Sequence, residues 1–272
     1  MPLALILSSF VAANRIGGGA QQIAMAALGV EAFLAPTILL GRNPAKGAAG
    51  EAVGPALFEG LIEGLEAEGL FARADVVLCG YFASAAQVGV AADALARVRA
   101  AAPRVTVVVD PILGDHPKGL YVTPEVAEAI AARLVPEADW ITPNAWELAH
   151  LARREIATAA DAAAAARRLG VRALVTSAPA GEGEIGVVLQ DRDGARLYAH
   201  PQRPRAPNGT GDLIAAVFAA GLGQGLAPAM AAEHAASLAC QMVEAAGDGD
   251  LPLETLPRMR LRAEALRMET LS

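Results

Sequence analysis

Residues 105–115 read VTVVVDPILGD, and this stretch decides the class of fold. Four valines among its first five residues predict a strand that is buried on both faces, as in a parallel sheet. Asp110 and Asp115 follow this strand directly. In parallel sheets, ligands bind just outside the carboxyl ends of the strands. The stretch therefore predicts an α/β protein with a polar site at the end of a central strand.

Short apolar runs alternate with helical patterns on both sides of this stretch. Further strands are predicted at residues 3–7, 32–35, 76–79, 140–142 and 173–175, and helices at 20–28, 51–68, 84–101, 124–134, 145–152, 159–169, 212–222 and 227–245. Such alternation implies βαβ units, which build a mostly parallel sheet with helices on both faces. Residues 41–50 (GRNPAKGAAG) are predicted to be a loop without regular structure. This loop is either a mobile cover over a substrate or a surface connection.

One pair of apolar runs departs from the parallel pattern. Residues 185–190 and 196–200 flank the sequence Asp191-Arg192-Asp193-Gly194. An Asp-Gly pair between two such runs is typical of a hairpin turn. An antiparallel hairpin is therefore predicted at the edge of the sheet, and residues 1–272 are predicted to form a single domain.

Composition excludes several classes of function. The net charge is −7 and no run of Lys or Arg forms a basic face, so nucleic acid is not expected as a partner. No segment reaches the ~20 apolar residues that cross a bilayer, and the apolar N-terminus is interpreted as a buried strand because no Lys or Arg precedes it. Cys79 and Cys240 lie far apart, which argues against a disulfide or a zinc site and fits a cytoplasmic protein.

The most specific motif is Asn208-Gly209-Thr210-Gly211-Asp212, which precedes an apolar helix. Its glycines let successive backbone N–H groups point in one direction, and the positive end of the helix dipole adds to them. Together they predict a site for a phosphate or a developing anion. Asp212 is then placed to accept a proton from an attacking hydroxyl group. The alternative is that Asp212 is only a helix cap.

Further polar residues follow other predicted strands. Asp110 and Asp115 are placed to hold Mg²⁺, directly or through water, unless they only belong to a Pro-Gly turn. Asn144 and Glu147 have the spacing of a capping box, which is sufficient for the fold, while a functional interpretation places the same helical turn near the metal and the phosphates. A Thr-Ser pair at 176–177 is a weaker candidate for a nucleotide phosphate or ribose.

Taken together, these motifs resemble the pyridoxal kinase branch of the ribokinase-like superfamily. The matching segments, in chain order, are Ser8-Ser9, Gly17, Gly80-Tyr81, 110–115, Tyr121-Val122, 141–147 and 209–212. They run in family order from about residue 5 to residue 245, nearly the whole chain. The resemblance implies a three-layer α/β/α sandwich that transfers the ATP γ-phosphoryl group to the 5′-hydroxyl of pyridoxal in vitamin B6 salvage. It also implies Mg²⁺, often K⁺, and a homodimer.

The same resemblance implies a role for individual residues. Asp212 matches the catalytic base, and the anion hole is matched by Gly209, Thr210 and Gly211. The candidates for substrate binding are Ser9, Gly17, Thr37, Tyr81 and Tyr121. The candidates for ATP binding are Asp115, Thr142, Asn144, Thr176, Ser177 and Asn208, and those for the metal are Asp110, Asp115 and Glu147. One position departs from the family, because Pro44 stands where a Thr is often found, and proline offers no hydrogen-bond donor.

Two other functions stay open at this point. A hydroxymethylpyrimidine kinase would have the same fold and reaction, and Pro44 bears on the identity of the substrate more than on the type of reaction. A protein that only binds a B6 vitamer, to deliver or sense it, would need no base. The intact Gly-Thr-Gly-Asp run at 209–212 argues against that second alternative.

Overall fold

The structure is a computed structural model that describes residues 1–47, 50–259 and 261–271. Its strands are β1 (Leu3–Val11), β2 (Glu31–Leu40), β3 (Gly50–Ala52), β4 (Val76–Cys79), β5 (Thr106–Val109), β6 (Gly114–Asp115), β7 (Gly119–Leu120), β8 (Trp140–Ile141), β9 (Arg172–Gly181), β10 (Glu184–Asp191), β11 (Gly194–Pro201) and β12 (Arg267–Leu271). Its α-helices are α1 (Gly17–Ala27), α2 (Pro55–Ala67), α3 (Leu70–Arg73), α4 (Ala85–Ala101), α5 (Pro124–Ala129), α6 (Ala145–Ala152), α7 (Ala159–Leu169), α8 (Thr210–Gly223) and α9 (Pro228–Ala246). Short 3₁₀ turns lie at Pro44–Lys46, Val135–Glu137 and Leu253–Arg258, and a π-helical turn at Ile130–Leu134 continues α5.

Ten of the described strands form one sheet in the order β12-β11-β10-β9-β8-β5-β4-β1-β2-β3. The central strands from β9 to β2 run parallel, and antiparallel strands flank them at both ends. All four residues of β4 are apolar and buried, as expected for a strand that is covered on both faces. The prediction of an α/β protein with a mostly parallel sheet is therefore confirmed.

Helices cover both faces of the sheet, and each face has its own apolar core. On one face, α1, α8 and α9 enclose a core that contains Trp140 and Phe218, whose rings meet edge to face with centroids 5.1 Å apart. On the other face, α2, α4 and α7 enclose a core that contains Phe58 and Phe82, whose rings meet in the same way at 6.4 Å. This arrangement confirms the predicted three-layer sandwich.

The predicted edge hairpin is also present. Strands β10 and β11 pair antiparallel along their whole length, from Glu184 opposite Pro201 to Asp191 opposite Gly194. The two turn residues are Arg192 and Asp193, so the turn lies one residue earlier than the sequence predicts. Gly194 opens β11 with a positive φ of 128°.

Other boundaries differ from the predictions, mostly at the edges of the sheet. The sequence predicts neither β3 nor β12, and it assigns Glu51 to a helix that in fact begins at Pro55. The prediction that residues 41–50 lack regular structure is wrong in part, because a 3₁₀ turn begins at Pro44 and Gly50 pairs with Leu40; residues 48 and 49 lie outside the described part. An edge strand forms because it pairs with a neighbouring strand, so its own sequence need not show the alternation of apolar and polar residues that predicts a strand.

The strand ends place polar groups on one face. Leu78, Val108, Trp140 and Leu174 all point into the core beneath α8. Because side chains alternate along a strand, the residues two positions later face the same side. Those residues are Gly80, Asp110, Thr142 and Thr176. Gly80, Asp110 and Thr142 directly follow β4, β5 and β8, whereas Thr176 lies within β9. The charge of Asp212, in the first turn of α8, raises the pKa of Asp110, so this edge of the sheet lies near the start of α8, where the sequence predicts the site. Among the described helices, none is both long and apolar enough to cross a membrane.

Candidate active site

The start of α8 is shaped by a glycine that no other residue could replace without strain. Gly209 is the N-cap, with a φ of 91°, in the left-handed region that favours glycine. A Cβ atom at this position would overlap the carbonyl oxygen of Arg15. The hydroxyl of Thr210 donates to the carbonyl oxygen of Pro207 at 2.8 Å and so fixes the preceding turn. Asn208 lies within this turn and is exposed.

The first amides of α8 are free of helical acceptors. The first bond of this helix runs from the Leu213 N–H to the Gly209 carbonyl oxygen at 2.9 Å, so the N–H groups of Thr210, Gly211 and Asp212 have no acceptor inside the helix. Gly211 is exposed, and a Cβ atom built there would have no neighbour within 4 Å. Open space beside N–H groups at the positive end of a helix is a site for an anion.

The Asp212 side chain does not cap this helix, so the alternative of a mere helix cap is wrong. Its Oδ2 accepts a hydrogen bond from the Gly17 N–H at 2.8 Å, and its Oδ1 accepts one from the Gln21 Nε2 at 3.4 Å. Burial raises the pKa of Asp212 from 3.8 to about 6, and the Gly17 N–H partly opposes that rise. A carboxylate with such a pKa is ionised at neutral pH and still able to take up a proton.

Gly17 has a role that the sequence does not predict. It is a candidate for substrate binding in the sequence, yet its N–H is directed at Asp212. It has a φ of 64°, and a Cβ atom there would overlap the Oγ of the buried Ser9. Gly17 therefore brings Ser9 and Asp212 together from opposite ends of the chain. Gln21 lies one turn later on α1, and this i, i+4 spacing is the only signal that could have found it.

We expect Gly17→Ala to damage both stability and activity. A left-handed backbone costs a non-glycine residue about 1–2 kcal/mol, and the methyl group also overlaps Ser9. Thermal unfolding and steady-state kinetics should show a lower unfolding temperature and a lower kcat. Gly69→Ala is the matched control for the backbone, because its φ is 73° and the space beside it is empty. A loss of stability equal to that of the control, with full activity, would contradict the role of Gly17.

Asp110 is a buried acid at the end of β5. Burial raises its pKa well above the usual range, and the charges of Glu147 and Asp212 raise it further, while the Ile112 N–H opposes the shift. Ile112 itself has a φ of 42°, which is strained for a β-branched residue. Strain of this kind persists only where the surroundings impose it, and it concentrates at functional sites.

Glu147 is the group that imposes this loop conformation. Its Oε1 accepts from the N–H groups of Leu113 at 2.7 Å and Gly114 at 3.3 Å, and its Oε2 accepts from the Asn144 N–H at 2.8 Å. The Asn144 Oδ1 accepts in turn from the Glu147 N–H, so the predicted capping box of α6 is present. Burial raises the pKa of Glu147 to about 7 in spite of these donors, and Asp115 contributes. Glu147 therefore caps a helix and also lies beside Asp110.

The residues predicted to bind ATP include Thr142 and Asn144, just after β8, and Thr176 and Ser177, which lie within β9 because this strand runs to Gly181 and does not end at the predicted residue 175. Thr142 is 3% exposed, and its Oγ1 has no hydrogen-bond partner among the described residues. Asn144 and Thr176 face each other in a parallel bridge, and the Asn144 Nδ2 donates to the Gly114 carbonyl oxygen at 2.9 Å. Ser177 is exposed with a φ of 53°. A buried hydroxyl without a partner is costly unless a ligand supplies one.

The remaining candidates for substrate binding form two groups. Thr37 is fully buried, and its hydroxyl donates to the Tyr81 carbonyl oxygen at 2.6 Å, while the Tyr81 N–H donates to the Ser8 Oγ at 3.2 Å. Thr37 therefore holds the backbone of Tyr81. Tyr121 forms the second group and is 47% exposed. Burial raises the pKa of Tyr121, and the charge of Asp115 raises it further.

The acids of the site do not form a complete metal cage. Within the described chain, no three His, Cys, Asp or Glu side chains lie close enough together to hold a metal ion. Asp115 is exposed, and its Oδ1 accepts from the His116 N–H at 2.8 Å. Mg²⁺ commonly binds through one or two carboxylates together with phosphate oxygens and water. A metal ion here would therefore need ligands from a bound nucleotide.

Comparison with known proteins identifies the family to which this protein belongs. A family model described as phosphomethylpyrimidine kinase matches residues 17–253. The chain belongs to this family. It is 36% identical over 224 residues to the pyridoxine/pyridoxal/pyridoxamine kinase of Bordetella avium, a match that covers 79% of this chain and 76% of that protein. It is 35% identical over 228 residues to the pyridoxal kinase PdxY of Deinococcus radiodurans, with the same coverage of 79% and 76%.

Solved structures agree with this family assignment at the level of the fold. The pyridoxal kinase of Entamoeba histolytica superposes with a TM-score of 0.91 at 22% identity, over 100% of both chains. The pyridoxal kinase of Leishmania donovani, in complex with ADP and pyridoxamine, superposes with a TM-score of 0.89 at 23% identity, again over 100% of both chains. The predicted resemblance to the pyridoxal kinase branch of the ribokinase-like kinases is thus confirmed.

Proposed function

We propose that this protein is a pyridoxal kinase, which transfers the γ-phosphoryl group of ATP to the 5′-hydroxyl of pyridoxal. One observation carries the proposal: the Gly17 N–H holds the Asp212 carboxylate at the mouth of the free amides of α8. The Bordetella and Deinococcus relatives are named as kinases of B6 vitamers, which supports this choice of acceptor.

In the proposed reaction, Asp212 accepts the proton of the acceptor hydroxyl as the new O–P bond forms. The bond between the γ-phosphorus and the bridging oxygen breaks, and ADP leaves with the electron pair of that bond. The N–H groups of Thr210, Gly211 and Asp212 donate to the transferred group, on which negative charge is spread. These donors are fixed by the fold before the substrate arrives, so little reorganisation is needed.

Mg²⁺ is part of the proposal, and the residues present fit it. The charge of Glu147 raises the pKa of the buried Asp110, a repulsion that a nearby cation would relieve. Asp110 and Asp115 would hold the ion, with Glu147 fixing the loop between them through the Leu113 N–H. Mg²⁺ bound with ATP supplies positive charge that stabilises the phosphate oxygens. The family resemblance adds three further elements to the proposal: K⁺ as a second cation, assembly into a homodimer, and a location in the cytoplasm.

We assign the two substrates to opposite sides of Asp212. On the nucleotide side, the unpartnered hydroxyl of Thr142 supports a phosphate contact, and the other proposed ATP residues are Asp115, Asn144, Thr176, Ser177 and Asn208. On the acceptor side, we assign Ser9, Tyr81 and Tyr121 to the pyridoxal ring, with Thr37 positioning Tyr81. Residues 41–50 would cover the acceptor, and Pro44 in this segment would shape the cover without donating a hydrogen bond. Residues 1–272 would form a single domain.

A second candidate follows from the description of the family model, phosphomethylpyrimidine kinase. One assay separates the candidates: the purified protein receives ATP, Mg²⁺ and each of pyridoxal, pyridoxine, pyridoxamine and hydroxymethylpyrimidine, and the release of ADP is followed. We expect the highest kcat/KM with pyridoxal. A higher value with hydroxymethylpyrimidine would replace the proposed acceptor. Binding of these compounds without any release of ADP would favour the non-catalytic alternative.

The raised pKa of Asp212 predicts opposite effects of pH on rate and on stability. The reaction needs the ionised carboxylate, so kcat/KM should fall about tenfold per pH unit below a pH of about 6. The unfolded chain has the ordinary pKa of 3.8, so between about 4 and 6 the folded protein binds more protons, and ligand-free stability should rise as the pH falls through that window. Kinetics and thermal unfolding across pH 4.5–8 test this; parallel rather than opposite trends would contradict the assignment.

A further inference from the structure

A buried glutamine beside Asp212 is not used by the mechanism above. Gln21, on α1, has no solvent exposure, and its Nε2 lies 3.4 Å from the Asp212 Oδ1. Its Oε1 is also buried and has no hydrogen-bond partner among the described residues. A buried amide that leaves one polar atom unpaired costs stability. The hydrogen bonds of the Gln21 side chain are therefore incomplete for a residue whose role is only structural.

A second buried glutamine shows what a structural role looks like. The Gln87 Nε2 donates to the carbonyl oxygens of Thr37 at 2.8 Å and Val53 at 2.6 Å, and its Oε1 accepts from the Ala83 N–H at 2.9 Å. Both ends of this amide are thus used to tie backbone segments together. Gln21 differs because its one side-chain bond is directed at the proposed base.

The position of Gln21 complements that of Gly17. The Gly17 N–H holds one oxygen of Asp212, and the Gln21 amide approaches the other, so two donors on successive turns of α1 fix the plane of the carboxylate. A distance of 3.4 Å is long for a hydrogen bond, and catalytic bonds in ligand-free sites are often long and shorten in the reactive complex.

We propose that Gln21 is a positioning residue that orients the Asp212 carboxylate toward the acceptor hydroxyl. This inference rests on the proposed phosphotransfer. Gln21→Met keeps the volume and removes the donor. It should lower kcat about tenfold or more, because a misaligned base loses near-attack geometry, and leave KM for ATP and acceptor within about twofold. Its unfolding temperature should stay equal or rise, because an unsatisfied buried polar group is removed.

A double-mutant cycle gives the sharpest readout. If Gln21 acts through Asp212, Gln21→Met should have no further effect on kcat in an Asp212→Asn background. A merely structural defect would lower kcat by the same factor in both backgrounds. Gln22→Met is the matched control on the same helix, since the Gln22 Nε2 donates to the Ala32 carbonyl oxygen, and its kcat should not change. Gln87→Met should lower the unfolding temperature, as a structural glutamine does.

Each outcome of these measurements decides the role of Gln21. A tenfold loss of kcat that vanishes in the Asp212→Asn background, with an unchanged unfolding temperature, supports it. Full activity of Gln21→Met, additive losses, or a variant that fails to fold would each overturn it while leaving the proposed kinase intact. If the wild-type protein releases no ADP with any acceptor, the proposed function fails and the role of Gln21 fails with it.

Discussion

Asp212→Asn is expected to lower kcat by about 10² to 10⁴, the usual cost of removing a general base. The substitution preserves the shape of the side chain, and its remaining oxygen can still accept the Gly17 N–H. It removes the negative charge and, with it, the ability to take up the proton from the acceptor hydroxyl. The loss should therefore fall on kcat, while KM for ATP and for pyridoxal changes little, because neither substrate needs the base in order to bind.

Stability provides an independent check on the same variant. Burial raises the pKa of Asp212, so at pH 8 the folded protein carries a charge that is costly to desolvate. A neutral Asn should keep or increase the unfolding temperature. Asp193→Asn, in the exposed turn between β10 and β11, is the matched control and should change neither rate nor stability. An Asp212→Asn variant that phosphorylates pyridoxal as fast as the wild type would refute the base assignment.

Gly211→Ala is expected to separate activity from stability most clearly. A Cβ atom at Gly211 meets no neighbour within 4 Å, and the residue lies in the first turn of α8. The fold should therefore accept the methyl group, and Ala is favoured over Gly in a helix by up to about 1 kcal/mol. The empty space is the place assigned to the transferred phosphoryl group. Filling it should lower kcat/KM by about 10² to 10³, as losing an oxyanion donor does.

A second glycine provides the control for this experiment. Gly60 lies within α2, also with empty space beside its Cα, and far in sequence from the site. Gly60→Ala should gain similar helical stability and keep full activity. Thermal unfolding and kinetics of both variants make the comparison. Full activity of Gly211→Ala would mean that the phosphoryl group does not occupy the space at the start of α8.

Local patterns predicted much of the fold and part of the site. The valines of β5, the alternation of strands with helices and the edge hairpin are confirmed because each depends on neighbours in the sequence, although the hairpin turn lies one residue earlier than predicted. The capping box of Asn144 and Glu147 is confirmed for the same reason, since its hydrogen bonds span only three residues. Strands β3 and β12 could not be predicted, because their structure comes from the strand beside them.

Contacts between distant segments supplied the rest of the site. The bond from the Gly17 N–H to Asp212 joins residues 195 positions apart, and no spacing rule encodes such a pair. The same is true of the contact between Gln21 and Asp212, which lie 191 positions apart. The Thr142 hydroxyl, which has no hydrogen-bond partner in the described part of the chain, is left unpaired by groups that come from distant segments.

The order of residues specifies which chemical groups this protein has and which local shapes they take: a valine-rich strand ending in acids, and a Gly-Thr-Gly turn opening a helix before Asp212. How these groups act on one another follows from the folded arrangement alone. Burial raises the pKa values of Asp110, Glu147 and Asp212, and neighbouring charges raise those of Asp110 and Glu147 further. Both depend on what lies within a few ångströms in space, which the order of residues along the chain does not specify.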